Sequence, residues 1–253
     1  MCTLAVYLGV SQRYPLAIAA NRDEFLERAT VAPAARDADP WVFAGRDLVA
    51  GGTWLGVNAA GVTAGVLNRR TGVPPDPRKR SRGELCLGAL RRHSFNEAQA
   101  FLRGHPAEEH NPFNLLLATS REAAVLGNTG RSIQRQDLPP GVHLLTNLDL
   151  NDPTCPRIAK SHRLFADCSR HLEADDAASF LSAVRAILAD HSTPLDPRAG
   201  AIPTNLCVHL DGYGTRSSSL ILFDAVASRY RYWHADGPPC CTEYVELRLP
   251  YDV

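Results

Sequence analysis

The sequence predicts an α+β protein built on antiparallel sheets. Three observations carry that expectation: short apolar runs are joined by turn residues, helical segments come in pairs between them, and strand and helix do not alternate regularly.

Thr3 to Gly9 and Leu16 to Asn21 are apolar runs separated by Ser11-Gln12-Arg13-Tyr14-Pro15, which predicts a hairpin. Thr53 to Val57 and Val62 to Leu67, around Asn58-Ala59-Ala60-Gly61, predict a second one. Arg69 to Arg82 is rich in proline and basic residues and reads as an exposed, solvated loop. Ser81-Arg82-Gly83-Glu84 and Ser94-Phe95-Asn96-Glu97 both have capping-box spacing, so two short helices are expected. Strands are expected over 115–119, 123–126, 132–136 and 142–147. Helices should follow over 156–172 and 177–190, the second with Asp175 and Asp176 as cap candidates. Strands return over 205–210, 218–223, 229–234 and 244–249, and no internal repeat is present, so a single domain over 1–253 is expected.

Composition narrows the function. With 45% hydrophobic and 21% charged residues, the chain of 253 residues can bury a sizeable core. A formal net charge of zero gives no electrostatic reason to expect nucleic acid or an anionic membrane as partner. The apolar stretches Thr3 to Val10 and Leu16 to Ala20 are too short to span a bilayer and lack a basic leader, which predicts a cytoplasmic protein. The seven cysteines are odd in number, include the adjacent Cys240-Cys241, and lack zinc-type spacing, in keeping with a reducing compartment. None of the nine histidines has metal-ligand spacing, and no metal is expected.

Cys2 is the first chemical candidate. Loss of Met1 would leave a thiol whose own α-amine, with an unperturbed pKa of about 7.7 to 8.0, can act as its base. A turn centred near Gln12 makes paired residues sum to about 24, which sets Cys2 opposite Arg22 with Asn21 and Asp23 beside it. Such neighbours can favour the thiolate and orient the amine. The alternatives are a small buried hydrophobe at Cys2 and a polar turn with a surface ion pair at Asn21-Arg22-Asp23-Glu24.

Six segments occur in the order seen in one family: Met1-Cys2-Thr3, Asn21-Arg22-Asp23-Glu24-Phe25, Gly51-Gly52-Thr53-Trp54-Leu55-Gly56, Ser81-Arg82-Gly83-Glu84-Leu85, Asn111-Pro112-Phe113-Asn114-Leu115 and Tyr213-Gly214-Thr215-Arg216. On these the chain resembles the NRDE family, the transport and Golgi organisation proteins. That family in turn is similar to the choloylglycine hydrolases and penicillin V acylases. The resemblance implies an N-terminal-nucleophile hydrolase-like four-layer αββα sandwich with two antiparallel sheets. It implies Cys2 as nucleophile, Arg22 and Asp23 as its neighbours, Asn68 and Asn147 as oxyanion donors, and Arg216 as a pocket residue expected to meet Arg22.

In the amidases the aspartate lies three residues after the arginine. Here Arg22 and Asp23 are adjacent, so they cannot share one side of a regular strand; the strand ends or bulges, or one residue faces away. The implied activity is amide or acyl cleavage on a small amphipathic metabolite, with no metal or redox cofactor required. The implied alternative is a carrier of haem or acyl-coenzyme A. Gly51, Gly52 and Gly56 are read as turn or close-packing positions and Trp54 as core. Tyr213 to Arg216 is read as a turn between strands.

Overall fold

The computed structural model describes residues 2–192 and 205–252. In chain order the strands are β1 (Thr3–Leu8), β2 (Leu16–Phe25), β3 (Thr30–Arg36), β4 (Val42–Asp47), β5 (Leu55–Asn58) and β6 (Thr63–Asn68). Helices α1 (Arg82–Leu90) and α2 (Phe95–Arg103) precede β7 (Phe113–Ala118), β8 (Ala123–Asn128), β9 (Ile133–Leu138) and β10 (Gly141–Leu145). Helices α3 (Pro156–Asp167), α4 (Ser169–Glu173) and α5 (Ala177–Leu188) then lead to β11 (Tyr213–Asp224), β12 (Arg229–Ala235) and β13 (Val245–Leu247). The chain divides into two compact units, Met1–Glu27 with Pro140–Leu247, and Arg28–Pro139 with Arg248–Val253.

The first unit holds a six-stranded antiparallel sheet in the order β10-β1-β2-β11-β12-β13. Period-two alternation presents Ala5, Tyr7, Ala17, Ala19, Leu220 and Leu222 on one face, where they pack against Ile158, Phe165, Leu172, Phe180, Val184 and Leu188 of α3, α4 and α5. The small alanines let the helices approach. Tyr7 fills the remaining space edge-on to Phe180 and donates its hydroxyl proton to the Phe165 carbonyl at 2.8 Å.

The second unit is a seven-stranded meander in sequence order from β3 to β9, with α1 and α2 packed on one face. The Asn58 amide donates to the carbonyls of Leu90 and Arg92 at 2.7 and 2.8 Å, which satisfies the orphaned end of α1. Gly52 sits at φ +73°, and a Cβ there would lie 2.1 Å from the Gly83 carbonyl carbon. The double glycine therefore lets the loop before β5 touch the start of α1, where Thr53 N–H donates to the Gly83 carbonyl at 3.0 Å. On β4, a Cβ at Gly45 would lie 2.4 Å from the Trp54 ring, so Trp54 packs over a glycine in the adjacent strand.

Several expectations are corrected. Strands β3 and β4 were not anticipated. Ser94 accepts from Glu97 N–H as the capping box requires, but Ser81 makes no side-chain cap bond. The start of α1 is held by the glycine contact instead. The helix expected over 156–172 is two, because Cys168 N–H bonds back three residues to Phe165 and tightens the turn there. Residues 205–210 are not a strand: Cys207 N–H goes to the Asp190 carbonyl, and only the bridge between His209 and Gly214 follows. Tyr213 to Arg216 is not a turn but the start of β11, because β2 continues to Phe25 and supplies partners as far as Tyr213. No helix among the described residues is long and apolar enough to cross a membrane.

Candidate active site

The expected register of the first hairpin is the observed one. Pairs from Thr3↔Asn21 to Leu8↔Leu16 all sum to 24, so the next step sets Cys2 across from Arg22. On the other side of β1 the pairs sum to 149, from Leu8↔Gly141 to Leu4↔Leu145. That ladder ends at Leu4↔Leu145, and Asn147 lies two residues past β10, at the same end of the sheet as Cys2. Beyond β2, Ser217 pairs with Arg22 and Thr215 with Asp23, so Arg216 is the extra residue of a β-bulge. One end of the six-stranded sheet thus collects Asn147, Cys2, Arg22, Asp23 and Arg216 from segments far apart in sequence.

The bulge and the strand alternation settle how Arg22 and Asp23 divide. Asn21 and Asp23 lie on the helix-covered face: the Asn21 amide donates to the carbonyls of Leu188 and Leu206, both at 2.8 Å, and Asp23 Oδ1 accepts from Thr215 Oγ1 at 2.7 Å. Arg22 takes the opposite face with Glu24, at 3.6 Å. Cys2, opposed to Arg22, shares that face, while Asp23 reaches it through its backbone. Asp23 N–H donates to the Cys2 sulfur at 3.4 Å, and the thiol lies 3.5 Å from the Asp23 carbonyl oxygen.

Both charged residues are almost fully buried, with Arg22 8% and Asp23 4% exposed. Burial, followed by the Asp23 carboxylate, pushes the Cys2 thiol above its ordinary range, and Arg22 pulls it down more weakly. Arg22 acts in the direction that favours the thiolate, and burial together with Asp23 outweighs it. Arg216 forms an ion pair with Asp236 at 3.0 Å. Its expected meeting with Arg22 reduces to adjacent strands. Asn147 is buried. Asn68 is exposed at the end of β6, paired with Phe113 in the other unit. Met1 lies outside the described residues.

Sequence reasoning missed the groups that hold this sheet end in place. Ser218 donates to Asn21 Oδ1 at 2.7 Å and lies 2.6 Å from the Tyr244 hydroxyl, while Thr215 Oγ1 also accepts from Val208 N–H at 2.9 Å. The available signal was the run Thr215-Arg216-Ser217-Ser218-Ser219, unusually polar for a central strand.

The chain matches the family described as Transport and Golgi organisation 2 over residues 1–232. The Transport and Golgi organization protein 2 homolog of Bos taurus is 32% identical over 238 residues, covering 84% of this chain and 83% of that protein. Among solved structures, penicillin V acylase from Agrobacterium tumefaciens superposes with a TM-score of 0.63 at 16% identity, covering 97% of this chain and 86% of that one. The Caenorhabditis elegans ortholog of N-acylethanolamine-hydrolyzing acid amidase does so at 0.59 and 12% identity, covering 88% and 92%. At such identities the likeness shows the fold, that of the N-terminal-nucleophile hydrolases. A match that runs from the Cys2 end into β12 places this chain in the Transport and Golgi organisation 2 family.

Proposed function

We propose that this protein is a cysteine N-terminal-nucleophile amidohydrolase that cleaves an N-acyl amide of a small amphipathic molecule. The observation that carries the proposal is the position of Cys2 at a sheet end, one residue before β1, with its sulfur against the Asp23 backbone and Arg22 nearby. The acyl-amide class is taken from the names of the two solved neighbours, a penicillin V acylase and an N-acylethanolamine-hydrolyzing amidase.

Removal of Met1 would give Cys2 a free α-amine within reach of its own sulfur. The amine accepts the thiol proton, the thiolate attacks the amide carbonyl, and the ammonium returns the proton to the departing amine. Water then cleaves the thioester. The Asp23 N–H, already aimed at the sulfur, stabilises the thiolate. Asn147 donates to the tetrahedral oxyanion. Arg22 offsets the negative charge. The raised Cys2 pKa makes the amine necessary, since the thiol is mostly neutral near pH 7 without a base.

The second reading, which rests on the family resemblance, is a carrier of haem or acyl-coenzyme A in which Cys2 does no chemistry. The test is a panel of N-acyl amides incubated with protein whose mass proves loss of Met1, beside Cys2→Ala. Release of amine by the wild type alone supports the hydrolase. Equal turnover in Cys2→Ala removes it, and tight binding of haem or acyl-coenzyme A without turnover supports the carrier.

A further inference from the structure

The first unit carries a second cluster of reactive side chains that the chemistry of Cys2 does not use. His191 lies three residues past α5, Cys207 and His209 precede β11, and Cys240 follows β12. A ligand atom from each of the four lies within 4.8 Å of every other. Cys207 Sγ is 3.5 Å from His209 Nε2 and 3.6 Å from Cys240 Sγ, and His209 Nε2 is 3.2 Å from Cys240 Sγ.

We propose that His191, Cys207, His209 and Cys240 form a tetrahedral zinc site. Zinc bonds of about 2.3 Å to sulfur and about 2.0 Å to nitrogen place tetrahedral ligands about 3.8 Å apart for two sulfurs and about 3.5 Å apart for sulfur and nitrogen. The three separations among Cys207, His209 and Cys240 are within a few tenths of an ångström of these, and His191 has a ligand atom within 4.8 Å of each. Two thiolates neutralise the dication and two imidazoles complete a set that suits zinc better than hard, oxygen-seeking cations. Binding displaces one proton from each thiol to solvent.

His191 has the support expected of a metal-bound imidazole. Its Nδ1 lies 3.1 Å from the Cys207 carbonyl oxygen, a contact only a protonated nitrogen can make favourably, which leaves Nε2 with the lone pair. Four protein ligands leave no open position, so the zinc is structural. It clips the chain after α5 to the segment entering β11 and to the turn after β12. Between two of the ligands, Val208 N–H donates to Thr215, which in turn donates to Asp23 beside Cys2. The clip therefore ends at the network that sets the Cys2 sheet end. The sequence concealed the set because His191 and Cys240 are far from the Cys207-x-His209 pair.

Zinc content of the full chain, measured after incubation with zinc and gel filtration, tests the proposal. Wild type and Cys241→Ser should retain one equivalent, while His209→Asn and the double variant Cys240→Ser/Cys241→Ser lose it with circular dichroism unchanged. Cobalt substitution should give thiolate-to-cobalt charge transfer and tetrahedral d–d bands in wild type, absent from His209→Asn. Wild type that holds no zinc, zinc retained in both ligand variants, or a Cys207–Cys240 disulfide in protein alkylated at lysis would each overturn it.

Discussion

In the seven-stranded unit, residues that stand out in sequence serve close packing: Gly52 presses on the Gly83 backbone, and the Trp54 ring covers Gly45. In the six-stranded unit, Cys2, Arg22 and Asp23 gather at one sheet end, where buried polar groups are held by hydrogen bonds. The contrast separates two reasons for an unusual residue. A glycine that only a missing Cβ can explain serves packing. A buried arginine and aspartate beside a thiol are costly to fold and call for a chemical reason. Substitutions in the first unit's sheet end should therefore act mainly on turnover, and those at the second unit's glycines mainly on stability.

The largest effect is expected at Gly52→Ala, which combines a positive φ with an overlap against backbone. It should lower unfolding free energy by more than about 3 kcal/mol in denaturant titrations, yet leave turnover per folded molecule unchanged. Lost turnover at unchanged stability would break the comparison.

Acid should unfold the protein partly through His234, which is buried beside Ser219 at 3.0 Å and whose pKa burial lowers to about 4. The unfolded chain, with a histidine pKa of about 6.5, binds more protons across that window. The stabilising contribution is then complete above about pH 6.5 and is lost as pH falls toward 4, to a total on the order of 3 kcal/mol. Stability of His234→Gln, followed across the same range, should show a flatter profile.

Asn147→Ala should slow acyl transfer by about 100-fold with little change in KM, measured by steady-state kinetics. A loss of stability with unchanged kinetics would move Asn147 to the packing class. Ser94→Ala should cost about 1 kcal/mol, the ordinary loss of an N-cap, and nothing in turnover.

The hairpin register was legible because a short turn and two apolar runs leave one pairing that keeps both faces consistent. The Ser94 and Asp176 caps were legible because their bonds are local; Asp176 accepts from Ser179 N–H at 3.0 Å. Strand β3 was not, because it is an exposed edge strand carrying Pro33 and a register shift, and its apolar alternation is erased. Gly214 read as a turn residue, and that reading was wrong. It lies in β11, where a Cβ would come within 2.5 Å of the Val208 carbonyl oxygen. Asn147 came from family resemblance, and only the β1–β10 pairing, made across more than 130 intervening residues, brings it to the same sheet end as Cys2.

Trapping the acyl-enzyme tests the central claim most directly. Protein lacking Met1, mixed with a slowly turned-over N-acyl substrate and quenched in acid, should gain the mass of one acyl group, mapped to the peptide that begins at Cys2. An acyl group carried by Cys240 or Cys241 instead, or the same gain in Cys2→Ala, would contradict it.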